Sequence, residues 1–206
     1  MALYYNHVIP MFSDDFLLDP EVMSRACRYL LSVSKRGDVH VADTRVVEFL
    51  LQDDKHVTMY LDGNLKFEVK WMQHLLNNQS VFITNRRGNR GWGAAVLWQN
   101  NKKDKKDKKC MVRVYNPNLK TRKADFDFAK KLVHICQRIS PSHAGIPWYM
   151  HIPHDNYDAA NKGMSGVATL ARFWQLCKNQ GSSRYLTSDT VKAVQSYLQV
   201  RCRREM

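Results

Sequence analysis

Three short apolar runs in the middle of the chain constrain the fold more than any other feature. Residues 80–84, 93–98 and 111–115 each have the length and the apolar content of a strand. A Gly- and Arg-rich turn separates the first two runs, and a lysine-rich loop separates the second from the third. Because such connections join antiparallel neighbours, the sequence predicts a strand meander. The second run is small and apolar enough to be buried on both faces.

Helical patterns lie on both sides of this meander. Apolar residues at helical spacing predict five helices: one that starts at Asp19-Pro20 and ends at Gly37, a short one capped by Asp43 or Thr44, residues 124–139, residues 164–177, and a last one from Thr187 or Ser188. The alternation in residues 56–61 predicts a strand, and so does the proline-bounded segment 147–152. The predicted fold class is α+β, with a mainly antiparallel central sheet, a buried helix packed on it and flanking helices.

The length of 206 residues suits one domain. The chain has no internal repeats and no pattern of a second core, so we expect a single domain over 1–206. Within it we expect an N-terminal helical part at 1–60, a central core at 80–180 and a C-terminal helix at 187–205. The 44% of apolar residues are enough to form a core and exclude wholesale disorder.

The net charge of +13 is concentrated in one segment. Residues 85–131 hold 15 Lys and Arg against 4 acidic residues, whereas the rest of the chain is nearly neutral. The candidate binding residues in this segment are Arg86, Arg87, Arg90, Lys102, Lys103, Lys105, Lys106, Lys108 and Lys109. The lysine run has no apolar face, which predicts a solvated loop; a nuclear-import signal and a phosphate-contacting arm are the alternatives.

Other classes of protein and site find little support in the sequence. The chain has no apolar run of eighteen residues and no secretory leader pattern, so we expect an intracellular protein of the nucleus or cytoplasm. The five cysteines have no CxxC spacing and are predicted to be reduced thiols. The densest titratable cluster is His151, His154, Asp155 and Asp158, which suggests a metal site or, more simply, a polar loop. We predict no metal and no cofactor.

The order of the predicted elements is itself informative. A Trp-bearing strand begins at Trp92, the next strand ends at Tyr115, and a polar loop leads into a buried helix that contains Gly166. Over roughly residues 60–180 this order resembles the papain-like cysteine-protease fold of SUMO- and ubiquitin-like-protein-specific proteases, which adenoviral proteases share. In that family a His-Trp pair begins one central strand, an acidic residue closes the next, and an Asp-Cys-Gly opens the central helix.

The chemistry that the resemblance implies is missing from this sequence. The position of the catalytic His holds Gly91, that of the acid holds Asn116 and that of the Cys holds Ser165, while the Gln position falls near Asp158 or Ala159. A triad cannot operate with glycine as its base, because glycine has no proton acceptor. The resemblance therefore implies a protease scaffold that has lost its active site. A simpler interpretation makes Ser165 a helix N-cap.

Three functions follow from these observations. The leading hypothesis is a non-catalytic protein-interaction module on a degenerate SUMO-protease-like fold. It would bind a ubiquitin-like protein or another protein with an acidic surface, with Trp92 in the binding tunnel that the resemblance implies. The alternative is a basic nucleic-acid-binding protein. The second alternative is an active hydrolase that uses Ser165 or an unrecognised Cys/His pair.

Overall fold

The chain folds around a five-stranded mixed sheet with the order β1-β2-β3-β4-β5. The computed structural model describes residues 18–65, 69–77, 79–86, 91–100, 108–117, 122–153, 162–178 and 186–205. Its strands are β1 (Val39–Val41), β2 (Ser80–Arg86), β3 (Trp92–Asn100), β4 (Lys109–Tyr115) and β5 (Trp148–His151). The central pairs β2–β3 and β3–β4 are antiparallel, which confirms the predicted meander, and the two outer pairs are parallel.

Eight helices are present in the described part of the chain. They are α1 (Pro20–Ser34), α2 (Thr44–Gln52), α3 (Asp54–Leu61), α4 (Trp71–Leu76), α5 (Arg122–Ile139), α6 (Pro141–Ala144), α7 (Lys162–Cys177) and α8 (Ser188–Glu205). Asp19 caps α1 and Asp43 caps α2, as their positions before helical patterns predict. In the described ranges no helix is both long enough and apolar enough to cross a membrane.

The predicted strand at residues 56–61 is wrong, because this segment forms helix α3. Asp53 accepts a hydrogen bond from the N–H of Lys55 and so caps the helix. Nδ1 of His56 is hydrogen-bonded to the carbonyl of Phe49 on the preceding helix, and the two rings stack. These contacts outweigh the strand propensity of the alternating side chains.

Two further boundaries differ from the prediction. Helix α1 ends at Ser34 rather than near Gly37, because Lys35 adopts the left-handed conformation with φ of 55° and serves as its C-cap. Strand β1 was not predicted, since three residues are too short to show a periodic pattern.

The sheet separates two apolar clusters. One contains α1, α7 and α8 packed on the face of Phe82, Ala94 and Val96, and the other contains α2, α4 and α5 on the face of Ile83 and Leu97. Helix α7 is buried over most of its length and packs on β3, which confirms the predicted buried helix. The fold class is α+β, as predicted. This packing brings the first turn of α7 to the start of β3.

Candidate functional site

Ser165 and Trp92 are in direct contact, as the resemblance requires. The backbone N–H of Trp92 donates a hydrogen bond of 2.8 Å to Oγ of Ser165. Ser165 is only 2% exposed, and it lies in the first turn of α7. The interpretation of Ser165 as an N-cap is wrong, because the helix begins three residues earlier at Lys162. The two sequence-distant positions therefore meet at one end of the sheet.

Gly91 precedes β3 with a φ of 102°, a conformation that residues with a side chain rarely adopt. The residue is buried and occupies the position at which the resemblance places the catalytic base. The backbone here is suited to glycine, and glycine supplies no proton acceptor. The missing base is thus accompanied by a backbone conformation that disfavours a histidine.

Asn116 leaves β4 at the same end of the sheet, since Tyr115 pairs with Ala94 near the start of β3. Its Nδ2 donates to both carboxylate oxygens of Asp125, at 3.1 and 3.0 Å. Both side chains are buried, and Asp125 lies in the first turn of α5. The amide therefore bonds to a carboxylate of the protein itself. The sequence offered no sign of this partner beyond an acidic residue at a helix start.

Trp92 is 1% exposed and is enclosed by the chain itself. Its Nε1 donates to the carbonyl of Leu18 at 3.0 Å. The Leu18 side chain also covers Gly166, where an added Cβ would lie 2.9 Å from Cδ1 of Leu18 and 3.3 Å from Cδ1 of Trp92. Leu18, which the sequence analysis did not single out, is therefore part of this site. The indole of Trp92 packs as a core side chain.

Charged groups border the site on two sides. Arg86, the last residue of β2, is exposed and pairs with Trp92 in the sheet register. Burial raises the pKa of the nearby Glu48 carboxyl, and Arg86 opposes that shift. On the other side the Arg172 guanidinium lies 5.0 Å from the centre of the Tyr115 ring and donates to Oε1 of Gln175 at 2.8 Å.

Only part of the predicted basic segment is described. Lys108 and Lys109 are exposed, like Arg86. The remaining predicted binding residues lie outside the described residues: Arg87, Arg90, Lys102, Lys103, Lys105 and Lys106. The same is true of His154, Asp155 and Asp158, whereas His151 accepts a hydrogen bond of 2.9 Å at Nδ1 from Nε of Arg113. Within the described ranges no group of three or more metal-ligating side chains occurs.

The described cysteines offer no alternative nucleophile. Burial raises the pKa of the Cys110 thiol to about 11, and it raises the pKa of Cys27, Cys136 and Cys177 as well. All four are buried free thiols. A protonated, enclosed thiol is unreactive, which agrees with the prediction that these cysteines are reduced thiols.

Solved structures resemble this chain although no family model and no curated protein matches its sequence. The SUMO protease Ulp1 with its catalytic cysteine oxidised to a sulfenic acid has a TM-score of 0.63 at 8% identity, over 95% of this chain and 81% of that one. The C-terminal Ulp1 protease domain in complex with Smt3, the yeast orthologue of SUMO, has a TM-score of 0.62 at 9% identity, over 95% of this chain and 80% of that one. A de-sumoylating protease has a TM-score of 0.59 at 12% identity, over 98% of this chain and 79% of that one. The chain thus has the fold of the Ulp1-like SUMO proteases, as the element order predicted.

Proposed function

We propose that this chain is a non-catalytic protein-binding module, a pseudoprotease on the Ulp1-like fold. The observation that carries the proposal is the contact between Trp92 and Ser165 beside a glycine at position 91. The Trp92–Ser165 contact sets the expected base and nucleophile positions at the same end of the sheet, and one of them holds no proton acceptor. The other holds a buried hydroxyl that already accepts a hydrogen bond. Serine without a base is a poor nucleophile.

The third position supports the same proposal. A triad acid orients the base by accepting its ring N–H. The Nδ2 of Asn116 instead donates to the buried carboxylate of Asp125, which fixes the amide within the core. The positions that would carry catalysis thus contribute to packing and internal hydrogen bonding.

We infer that the partner is a ubiquitin-like protein. The Ulp1 protease domain that this chain resembles was solved in complex with Smt3. Exposed Arg86, next to Trp92 in the sheet, places a cation at the rim of the site, which favours a partner with an acidic surface. The nucleic-acid alternative gains no support from the structures named above, which are proteases.

A combined binding and activity measurement tests the proposal. The chain is titrated with SUMO and with ubiquitin by calorimetry, and it is incubated with the same proteins carrying a C-terminal fluorogenic amide or an electrophilic warhead. We expect binding, no turnover and no covalent adduct. Arg86→Glu should weaken binding several-fold because it reverses a rim charge, while Lys192→Glu, which reverses another exposed charge on α8, should not.

Two results would count against the proposal in different ways. Turnover or an adduct on Ser165 would show that the site is catalytic. An absence of binding by both SUMO and ubiquitin at about 100 μM would refute the ubiquitin-like partner, because even a weak specific interface reaches this affinity.

A further inference from the structure

Strand β5 is an edge strand that carries exposed apolar side chains. In the described residues it pairs only with β4, and it is the last strand of the sheet. Tyr149 is 47% exposed and Met150 39% exposed. Natural edge strands usually avoid exposed apolar side chains, since an open edge is a template for pairing with another chain. This edge therefore has the character of a binding surface.

The hydrogen-bonding groups of β5 alternate in direction. The N–H of Cys110 on β4 donates to the carbonyl of Pro147 at 2.9 Å. In a parallel pair every second residue faces the neighbouring strand, so Tyr149 and His151 direct their backbone groups to β4. Trp148 and Met150 direct theirs away from the sheet. The N–H and C=O of Met150 are thus available to an added strand.

The two faces of this edge differ in charge. Lys109, Arg113 and His151 lie on the same face of the sheet as Tyr149, and Nζ of Lys109 is 5.5 Å from the Tyr149 ring centre. Residues 108–117 and 145–153 contain no acidic residue. On the opposite face lie Trp148 and Met150, beside α5, which packs on β5. A strand added here would meet cations on one side and apolar groups on the other.

We propose that the β5 edge binds an extended acidic segment of a partner protein by strand addition. The segment alternates acidic residues, which face Lys109 and Arg113, with apolar residues, which face Met150. A nucleic acid fits less well, because the outward N–H and C=O of Met150 can continue the ladder only with a peptide backbone. This surface is separate from the Trp92 site, so the inference does not depend on the proposed function.

A labelled peptide that alternates valine and glutamate over eight residues tests the proposal by fluorescence anisotropy. We expect it to bind, and we expect no binding of a peptide of the same composition with its valines and glutamates in two blocks, or of a valine–lysine peptide. Met150→Pro should weaken binding about tenfold, because proline removes the outward N–H without disturbing the β4 ladder. Met150→Leu is the matched control and should bind like the native chain.

Amide exchange makes the test independent of whether the proline variant folds. In the free protein the Met150 N–H should exchange quickly and the Tyr149 N–H slowly, and only Met150 should gain protection when the peptide binds. Unchanged exchange at Met150, or equal binding by the blocked peptide, would overturn the proposal. Displacement of the peptide by an oligothymidine would also overturn the proposal if the oligothymidine binds the native chain and the Met150→Pro variant equally tightly. That outcome would assign the surface to nucleic acid.

Discussion

Oγ of Ser165 accepts a hydrogen bond from the backbone N–H of Trp92 over 2.8 Å, and this bond ties the first turn of α7 to the start of β3. The hydroxyl at the nucleophile position thus acts as a structural acceptor. Both residues are almost fully buried, so the N–H of Trp92 has no water to replace Ser165. We therefore expect Ser165 to contribute to the stability of the fold.

Ser165→Ala should destabilise the fold by about 1 to 3 kcal/mol, because a buried N–H would lose its acceptor. Urea unfolding of native and variant chains measures the difference. Ser196→Ala, an exposed serine on α8, is the control and should change the free energy of unfolding little. Equal stability of Ser165→Ala and the native chain would show that the Trp92 hydrogen bond contributes nothing.

Gly91→Ala should cost about 1 to 2 kcal/mol, because a Cβ at φ of 102° is sterically strained. Gly37→Ala is the control, since nothing lies within 4 Å of its added Cβ and its φ is not left-handed.

Because a side chain at position 91 is strained, Gly91→His combined with Ser165→Cys should not restore hydrolysis. Recovery of fluorogenic SUMO cleavage by that double variant would contradict the strain argument.

The sequence predicts the sheet centre and the buried helix well because their signals are local. Residues 93–98 are small and apolar, and residues 164–177 are apolar nearly all round the helix, so the sequence itself predicts their burial. The strand predicted at 56–61 failed because the cap from Asp53 and the His56–Phe49 contact decide that segment. Three-residue β1 exists through its pairing with β2, which no local pattern reveals.

The resemblance predicts the positions of the site residues but not their contacts. Element order placed Gly91, Asn116 and Ser165 at corresponding positions, and the structure brings Ser165 against Trp92. The packing of Leu18 on Gly166 and the bond from Asn116 to Asp125 join residues that are distant in sequence. Such pairings depend on the tertiary arrangement and leave no trace in periodicity or spacing.

Gly166→Ala should destabilise the fold by about 1 to 3 kcal/mol, because the added methyl would lie 2.9 Å from Cδ1 of fully buried Leu18. Gly145→Ala, with open space around its Cβ, is the control. Leu18→Ala removes the clashing atoms, so in a double-mutant cycle the two substitutions should cost less together than the sum of their separate effects. Strict additivity would place Leu18 away from Gly166.

Asn116→Asp should lower stability at neutral pH by a few kcal/mol, because it replaces the donor to the buried Asp125 carboxylate with a second carboxylate. The variant would also restore the acid that the resemblance expects at this position, without restoring activity. Asp127→Asn, at an exposed position of helix α5, which also contains Asp125, is the control for general charge effects. A stability equal to that of the native chain would show that Asn116 and Asp125 are not in contact.

His40 makes the stability of the fold depend on pH. Its ring stacks on His74 with centres 3.8 Å apart, and burial, with a further effect of His74, lowers the pKa of His40 to about 4. In the unfolded chain the pKa of a histidine is about 6.5. Between these values the unfolded state binds a proton that the folded state does not. Stability should therefore be full above about pH 6.5 and fall as the pH drops toward 4.

His40→Phe should reduce this loss, because phenylalanine preserves the stacked ring and removes the titrating group. Because the pair is only half-buried and solvent screens it, we expect a reduction of about 1 kcal/mol in the stability lost between pH 6.5 and 4. Some dependence should persist, since burial lowers the pKa of His143 and His151 too. Urea unfolding at several pH values measures the slope, and NMR titration of the His40 ring measures its midpoint directly. A His40 midpoint above pH 6, or an unchanged slope in His40→Phe, would assign the acid sensitivity to other groups.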